Sequence, residues 1–358
     1  MLRLYNFFPG PCGLPDSVME QAQAEFLDYH GKGASIMEVS HRGDTFLAVY
    51  HHAESLLREL LGVSDEYAVL FLSGGASGQS AAIPLNLTAD RSATAAYLIN
   101  GHWSQRSATE GAKYCRVSVV ADTADSKYTV LPTQWETPAD AVYLHYADNE
   151  TVHGVEFSTP PKSTAPLVAD MSSNIASRQI CVEDYGLIYA GAQKNLGPTG
   201  VTIVIVKKAL MQTRPTTPMI WDYPKQMAAE SMVNTPPTFQ IYMVGLVLAW
   251  LKAEGGVAEM EKRCAQKSQL LYSCIDNSGG FYRAFVSGDC RSRVNVPFFL
   301  ADDALLGDFL AGAEQEGLIG LKGHAILGGC RASMYNSMAV AGVEKLTDYM
   351  RDFQRRRG

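Results

Sequence analysis

The sequence predicts an α/β protein: a large domain built on a mostly parallel β-sheet covered by helices, then a smaller α+β domain at the C-terminal end. Three observations point there. Short apolar runs recur at 67–72, 95–99, 117–120, 141–145, 167–169, 187–189 and 201–206. Most are separated by enough residues for a helix or a long loop, the connection that parallel strands require. After about residue 240 the texture changes, with helical patterns at 240–253, 257–275, 304–316 and 343–355 and strand patterns at 291–299 and 330–333.

Two early helices precede the first strand. Residues 15–30 carry helical spacing, with Asp16 placed as a cap. Residues 44–61 put Phe46, Val49, Leu56, Leu57, Leu60 and Leu61 on one face, and Gly62 stops the pattern.

Composition narrows the function classes. The chain has 358 residues, a formal net charge of −7, 47% apolar residues and 19% charged ones. This is an ordinary globular balance, with enough apolar content to bury a core. The acidic balance argues against nucleic-acid binding, which needs a basic face. The seven cysteines are odd in number and lack CxxC spacing, which disfavours a disulfide framework or a zinc site and fits a reduced compartment. Pro9 and Gly10 come too early for a signal-peptide core. The longest apolar stretch, 241–251, is well short of the ~20 residues that span a bilayer. The expectation is a soluble, cytoplasmic protein without membrane or nucleic-acid partners.

The segment from Tyr185 to Val206 carries the sharpest chemical signal. Lys194 follows one apolar strand and precedes Gly197–Pro198 and another. A lysine there either sends its amine to solvent or serves as a Schiff-base lysine, its pKa lowered by burial and nearby cations. Asp170 ends the run Leu167-Val-Ala and could hold a protonated pyridine nitrogen or cap the next helical segment. Together the two residues make the Asp-plus-Lys pair of pyridoxal-phosphate enzymes. Leu72-Ser-Gly-Gly-Ala-Ser-Gly-Gln79 joins a strand to a helix, as an anion cradle or a plain turn. Arg42 and Arg331 are candidate carboxylate or phosphate clamps, or surface arginines. Trp103 could stack on a planar ring or fill a core. His30, His51 and His52 read as helix-surface residues, and no metal-ligand spacing such as HExxH occurs.

Eight ordered motifs then align with one family. They are Ser40-His-Arg, Ser73-Gly-Gly-Ala-Ser, Gly101-His-Trp-Ser, Asn149-Glu-Thr-Val-His-Gly-Val-Glu156, Ala169-Asp-Met-Ser-Ser, Tyr189-Ala-Gly-Ala-Gln-Lys-Asn, Asn234-Thr-Pro-Pro-Thr-Phe239 and Arg331-Ala-Ser-Met-Tyr-Asn-Ser. From end to end the chain resembles the phosphoserine aminotransferase family, which are fold-type I, class V pyridoxal-phosphate enzymes. The resemblance implies a large cofactor-binding domain over 15–243 and a small domain over 244–358 joined by 1–14. It implies that Lys194 binds the cofactor covalently and moves the α-proton, with Asp170 on the ring nitrogen, Trp103 on the ring face and Thr151 on the phenolic oxygen. Gly75, Ala76 and Gln193 would hold the phosphate, with Asn234 and Thr235 reaching it from a second subunit of a homodimer. Arg331 would take the α-carboxylate, while His41, Arg42 and His324 surround the distal anion. The implied reaction exchanges an amino group between phosphoserine and 2-oxoglutarate, with 3-phosphohydroxypyruvate and glutamate as the other pair.

Four positions depart from the family pattern: Phe8 and Pro9 stand where small residues are usual, Ala325 where an arginine is usual, and Gly43 where a serine is usual. One charge-assisted hydrogen bond is worth ~1.5–3 kcal/mol, so a missing arginine weakens a phosphorylated substrate by about ten- to a hundredfold. An alternative expectation is therefore a paralogous aminotransferase acting on a less anionic substrate.

Overall fold

The computed structural model describes residues 3–212 and 214–358. The chain opens with a two-residue strand, β1 (Tyr5–Asn6), and helix α1 (Asp16–Ala24). The helix expected over 15–30 is thus cut short. Beyond it, Phe26 turns edge-on to Phe239, with ring centroids 5.9 Å apart. His30 takes a left-handed φ of 52° in a separate short turn, a conformation no α-helix contains. Asp16 is not a cap either. Pro15 holds that position, and Asp16 sits in the first turn and pairs with Arg3. Helix α2 (Asp44–Leu61) forms as the sequence predicts, closed by Gly62 in the left-handed region.

Strand β2 (Tyr67–Leu72) leads into α3 (Gly75–Leu87), then β3 (Thr94–Ile99), α4 (His102–Gly111) and β4 (Arg116–Asp122). β5 (Ala141–Ala147), β6 (Leu167–Asp170), β7 (Leu187–Gly191) and β8 (Thr202–Lys207) complete a seven-stranded sheet in the order β2-β8-β7-β6-β5-β3-β4. Neighbouring strands are parallel except at β8, which runs antiparallel to both β2 and β7. The run Tyr-Ala-Val-Leu-Phe-Leu of β2 shows why the strands read as continuous apolar stretches. Tyr67, Val69 and Phe71 enter the core under α2, while Ala68, Leu70 and Leu72 enter the core on the other face.

After the short helix α5 (Tyr223–Ala228), the long helices α6 (Thr238–Ala253) and α7 (Gly256–Asp276) lead to the second unit. Its sheet is antiparallel, with β10 (Asn295–Leu300) between β9 (Tyr282–Ala284) and β12 (Cys330–Ser333). Helices α8 (Leu306–Gln315) and α9 (Val340–Arg357) pack with α7 around Phe298, Phe309 and Phe353. Strand β11 (Leu318–Ile319) pairs parallel with β1. The division expected at 243/244 falls inside α6, whose buried residues through Leu251 pack with the large core. None of the described helices is by itself long and apolar enough to cross a membrane.

Candidate active site

The parallel strands end on one edge of the large sheet, where α/β proteins collect ligands. Four of the predicted residues follow from this. Trp103 comes just after β3, Thr151 after β5, Asp170 ends β6 and Lys194 follows β7. Together with Gly75, Ala76 and Gln193 they line a cavity of about 150 Å³.

Each is fixed by its local chain. Residues 192–197 form a single helical turn, closed by the Leu196 N–H donating to the Ala192 carbonyl (3.0 Å). The Asn195 amide donates to the Ile175 carbonyl (2.9 Å), which pins the turn under the cavity. From it the Lys194 ammonium donates to Thr151 Oγ1 (2.6 Å) and lies 5.8 Å from the Trp103 ring centroid. Burial pushes this amine down to about 8, and the Arg331 charge adds to the effect, while Asp170 and Glu150 oppose it. Asp170 accepts from the Ser172 N–H (2.9 Å), and Ser172 Oγ accepts from the Gly191 N–H (3.1 Å), tying the ends of β6 and β7 together.

Trp103 depends on a residue the motifs did not single out. The buried Glu150 carboxyl accepts from the N–H groups of Trp103 (3.3 Å) and Ser104 (2.8 Å) and from Ser104 Oγ (3.0 Å), so it closes the first turn of α4. A Cβ at Gly101 would stand 2.4 Å from Glu150 Cδ, so only glycine fits there. Burial raises the Glu150 carboxyl to about 7. Its folded pKa lies above the unfolded one, so its contribution to stability is present in acid and is lost as pH rises through about 7. A Glu150→Gln variant should therefore lose less of its melting temperature between pH 6 and pH 8 than the wild type, by roughly a few degrees. Parallel pH dependence in the two proteins would contradict this.

The β2–α3 turn opens toward the same cavity. Gly74 and Gly75 have φ of 104° and 65°, which L side chains rarely adopt. The turn leaves the first N–H groups of α3 free of side-chain caps. Asn149, Ser77, Ser172 and Ser173 also line the cavity. They lie inside the sequence motifs, where small polar residues gave no separate signal.

The cavity suits pyridoxal phosphate on its own chemistry. It holds a buried amine of lowered pKa, a carboxylate, an aromatic face and an N–H-rich helix start. The Trp103 Nε1 and Arg331 Nε groups are buried without a hydrogen-bond partner among the described residues. Arg331, on β12, is 4% exposed and donates to the Thr151 carbonyl (3.2 Å). His324 is close enough to Arg331 to feel its charge. His41, Arg42, Asn234 and Thr235 do not line the cavity of their own chain. Arg42, Asn234 and Thr235 are exposed. Of the departures, Phe8 is 46% exposed beside Gly320, and Ala325 is exposed.

Residues 4–346 match the Aminotransferase class-V family. The chain belongs to it. The class-V aminotransferases similar to this chain include the phosphoserine aminotransferase of Stenotrophomonas maltophilia (strain K279a), 50% identical over 363 residues and 100% of both chains. Among solved structures, phosphoserine aminotransferase from Bacillus circulans subsp. alkalophilus is 44% identical, with a TM-score of 0.96 over 99% of each chain. A structure of PLP-bound phosphoserine aminotransferase from Trichomonas vaginalis is 36% identical, with a TM-score of 0.92 over 98% of this chain and 100% of that one. Within the class-V aminotransferases, the chain is a member of the phosphoserine aminotransferase family.

Proposed function

We infer that the chain is a pyridoxal-phosphate-dependent aminotransferase that interconverts phosphoserine plus 2-oxoglutarate with 3-phosphohydroxypyruvate plus glutamate. The observation that carries this is the Lys194 amine, pushed down to about 8 in one cavity with Asp170 and Trp103. Its setting is a chain matched end to end by phosphoserine aminotransferases at about half identity. Bound pyridoxal phosphate supplies an aldehyde carbon that exchanges amines and a ring that draws electrons from the substrate α-carbon. The residues do the rest. The Lys194 amine would carry the proton between the substrate α-carbon and the bound cofactor, giving a proton back to an α-carbon only in the opposite half-reaction. The Asp170 carboxylate would pair with the ring nitrogen and favour its protonated form, and the Trp103 face would pack against the ring. Thr151 bonds the phenolic oxygen. The N–H groups at Gly75 and Ala76, with Gln193, hold the phosphate. Arg331 would take the α-carboxylate. The two half-reactions use the same site in turn, a ping-pong scheme.

The cofactor-loaded protein should be yellow, should lose that colour with glutamate, and should prefer phosphoserine over unphosphorylated amino acids in kcat/KM. A protein that bleaches with glutamate yet ignores phosphoserine would overturn the substrate assignment. The less anionic alternative is not favoured, because relatives of about half identity over the full chain are phosphoserine aminotransferases.

The active enzyme is a cytoplasmic homodimer with shared sites. An exposed apolar groove between α1 and α6, including Met19, Phe26, Leu27 and Phe239, supports a covered face close to the 234–235 segment. In this reading the partner subunit's Asn234 and the partner subunit's Thr235 reach the cofactor phosphate, and the partner's His41 and the partner's Arg42 reach the substrate. Co-folding equal amounts of Lys194→Ala and Arg42→Ala chains should then restore about one quarter of wild-type activity, because half the dimers are mixed and each has one intact site. Activity no higher than the sum of the two variants would refute sharing.

A further inference from the structure

Three imidazoles meet beside Thr151 and Arg331. His102 precedes Trp103 at the start of α4; its ring centroid lies 5.0 Å from the Trp103 ring and 5.9 Å from that of His324. His153 sits two residues after Thr151, and its Nδ1 accepts from the His102 backbone N–H (3.4 Å). The His324 Nδ1 accepts from the Ile326 backbone N–H (3.2 Å). With Nδ1 occupied as an acceptor, the neutral ring of each must carry its proton on Nε2. Both rings therefore present a donor even when uncharged.

The surroundings favour an anion. Burial pushes all three imidazoles down, His153 to about 4, and each is also pressed by neighbouring positive groups. Arg106 approaches from α4 and Arg331 from β12. On the far side, Tyr128 packs 4.7 Å from the His153 ring and Phe285 packs at 6.1 Å. The nearby carboxyl, Glu150, is already taken by the N–H groups of α4. Among the described residues no group of three His, Cys, Asp or Glu side chains is placed to hold a metal. Several donors without a facing carboxylate, next to the arginine that takes the α-carboxylate, make a site for a second anionic group.

We propose that His102 and His153 join His324 in receiving the distal phosphate of the substrate, and that the cluster takes up protons as the phosphate binds. This rests on the phosphoserine reading above. A phosphate dianion favours the charged imidazoles it touches. Their pKa values are then higher in the complex than in the free enzyme. The added affinity is largest just above about pH 6, where the substrate is already a dianion, and it fades as pH rises through the bound-state values.

The test uses the full-length, cofactor-loaded enzyme. His153→Phe and His102→Phe should each raise the KM for phosphoserine about tenfold or more, the loss of one charge-assisted hydrogen bond, with a smaller change in kcat. His153→Gln restores an amide donor near the Nε2 position, so it should recover most of the KM but show a shallower rise in KM with pH, since His102 and His324 remain. Calorimetry with inorganic phosphate, in two buffers of different ionisation heat, should show proton uptake by the wild type and less by His153→Gln. An unchanged KM in both Phe variants, or phosphate binding without proton uptake, would overturn the proposal. A wild type that bleaches with glutamate but does not turn over phosphoserine would defeat the substrate reading instead. The inorganic-phosphate measurement would still decide the histidine site.

Discussion

Lys194→Ala should lower turnover by roughly four orders of magnitude, because one amine supplies both the general base and the covalent attachment. The variant should fold normally. The deleted amine is one whose charge burial already disfavours, and its one side-chain partner, Thr151, still lines an open cavity. Far-ultraviolet circular dichroism and a melting curve would confirm the fold, and single-turnover absorbance with glutamate would report the chemistry. Full turnover by the variant would sink the mechanism. Both lost tasks belong to one amine, so an added small primary amine should restore part of the rate, whereas a misfolded site would not respond.

The second large effect is on stability. Arg178→Ala should cost about 3–5 kcal/mol, because it strands a charge inside the protein. Asp148 is fully buried and is gripped by both Arg178 Nη2 contacts (2.9 and 2.7 Å), with further hydrogen bonds from Tyr146 and Asn174. Burial pushes the Asp148 carboxyl up even so, which shows how much the carboxylate owes to its partners. Asp148 directly precedes Asn149, Glu150 and Thr151, so its displacement should also weaken cofactor binding. Urea titration would measure the first effect and cofactor release the second. Replacing the pair with apolar residues, Arg178→Met with Asp148→Leu, should restore most of the stability, because no unpaired charge remains. Equal stability of Arg178→Ala and wild type would contradict the argument.

The site was readable in the sequence wherever a residue's chemistry is rare in its setting. Lys194 and Asp170 stood out because charged groups at the ends of apolar strands need a reason to be there. The glycine turn and Trp103 were candidates on their own chemistry, the motifs added Thr151 and Gln193, and Gly75, Ala76, Trp103, Thr151 and Gln193 all line the cavity. Glu150 was hidden because its task is to hold the start of α4 from a different loop, and sequence spacing carries no trace of that contact. His102 and His153 were hidden likewise, being brought together from two strand ends. In the fold, the buried strands of the large sheet were legible from their apolar runs. The direction of β8 was not, since a run such as Thr-Ile-Val-Ile-Val reads the same either way. Two- and three-residue strands such as β1, β9 and β11 are too short to show a period. The early stop of α1 follows from Phe26 packing on Phe239, a tertiary contact that overrides local helical spacing.

The opening segment of the chain has one more consequence. Residues 5–13 cross from β11 to the reactive lysine: Tyr335 donates to the Pro9 carbonyl across 326 residues, Cys12 donates its thiol to the Lys194 carbonyl (2.7 Å), and Ser337 donates to Gly13 (2.6 Å). On a ribosome adding about 5–20 residues per second, this stretch waits roughly 15 seconds to a minute for Tyr335 and Ser337 to emerge. A nascent chain can close its large sheet long before then, but the stretch that sets Cys12 against the lysine turn is tied down only once Tyr335 and Ser337 have been made. Segment 5–13 is therefore made long before the residues that tie it down, and the support beneath the lysine turn is complete only after residues 335–337 have emerged.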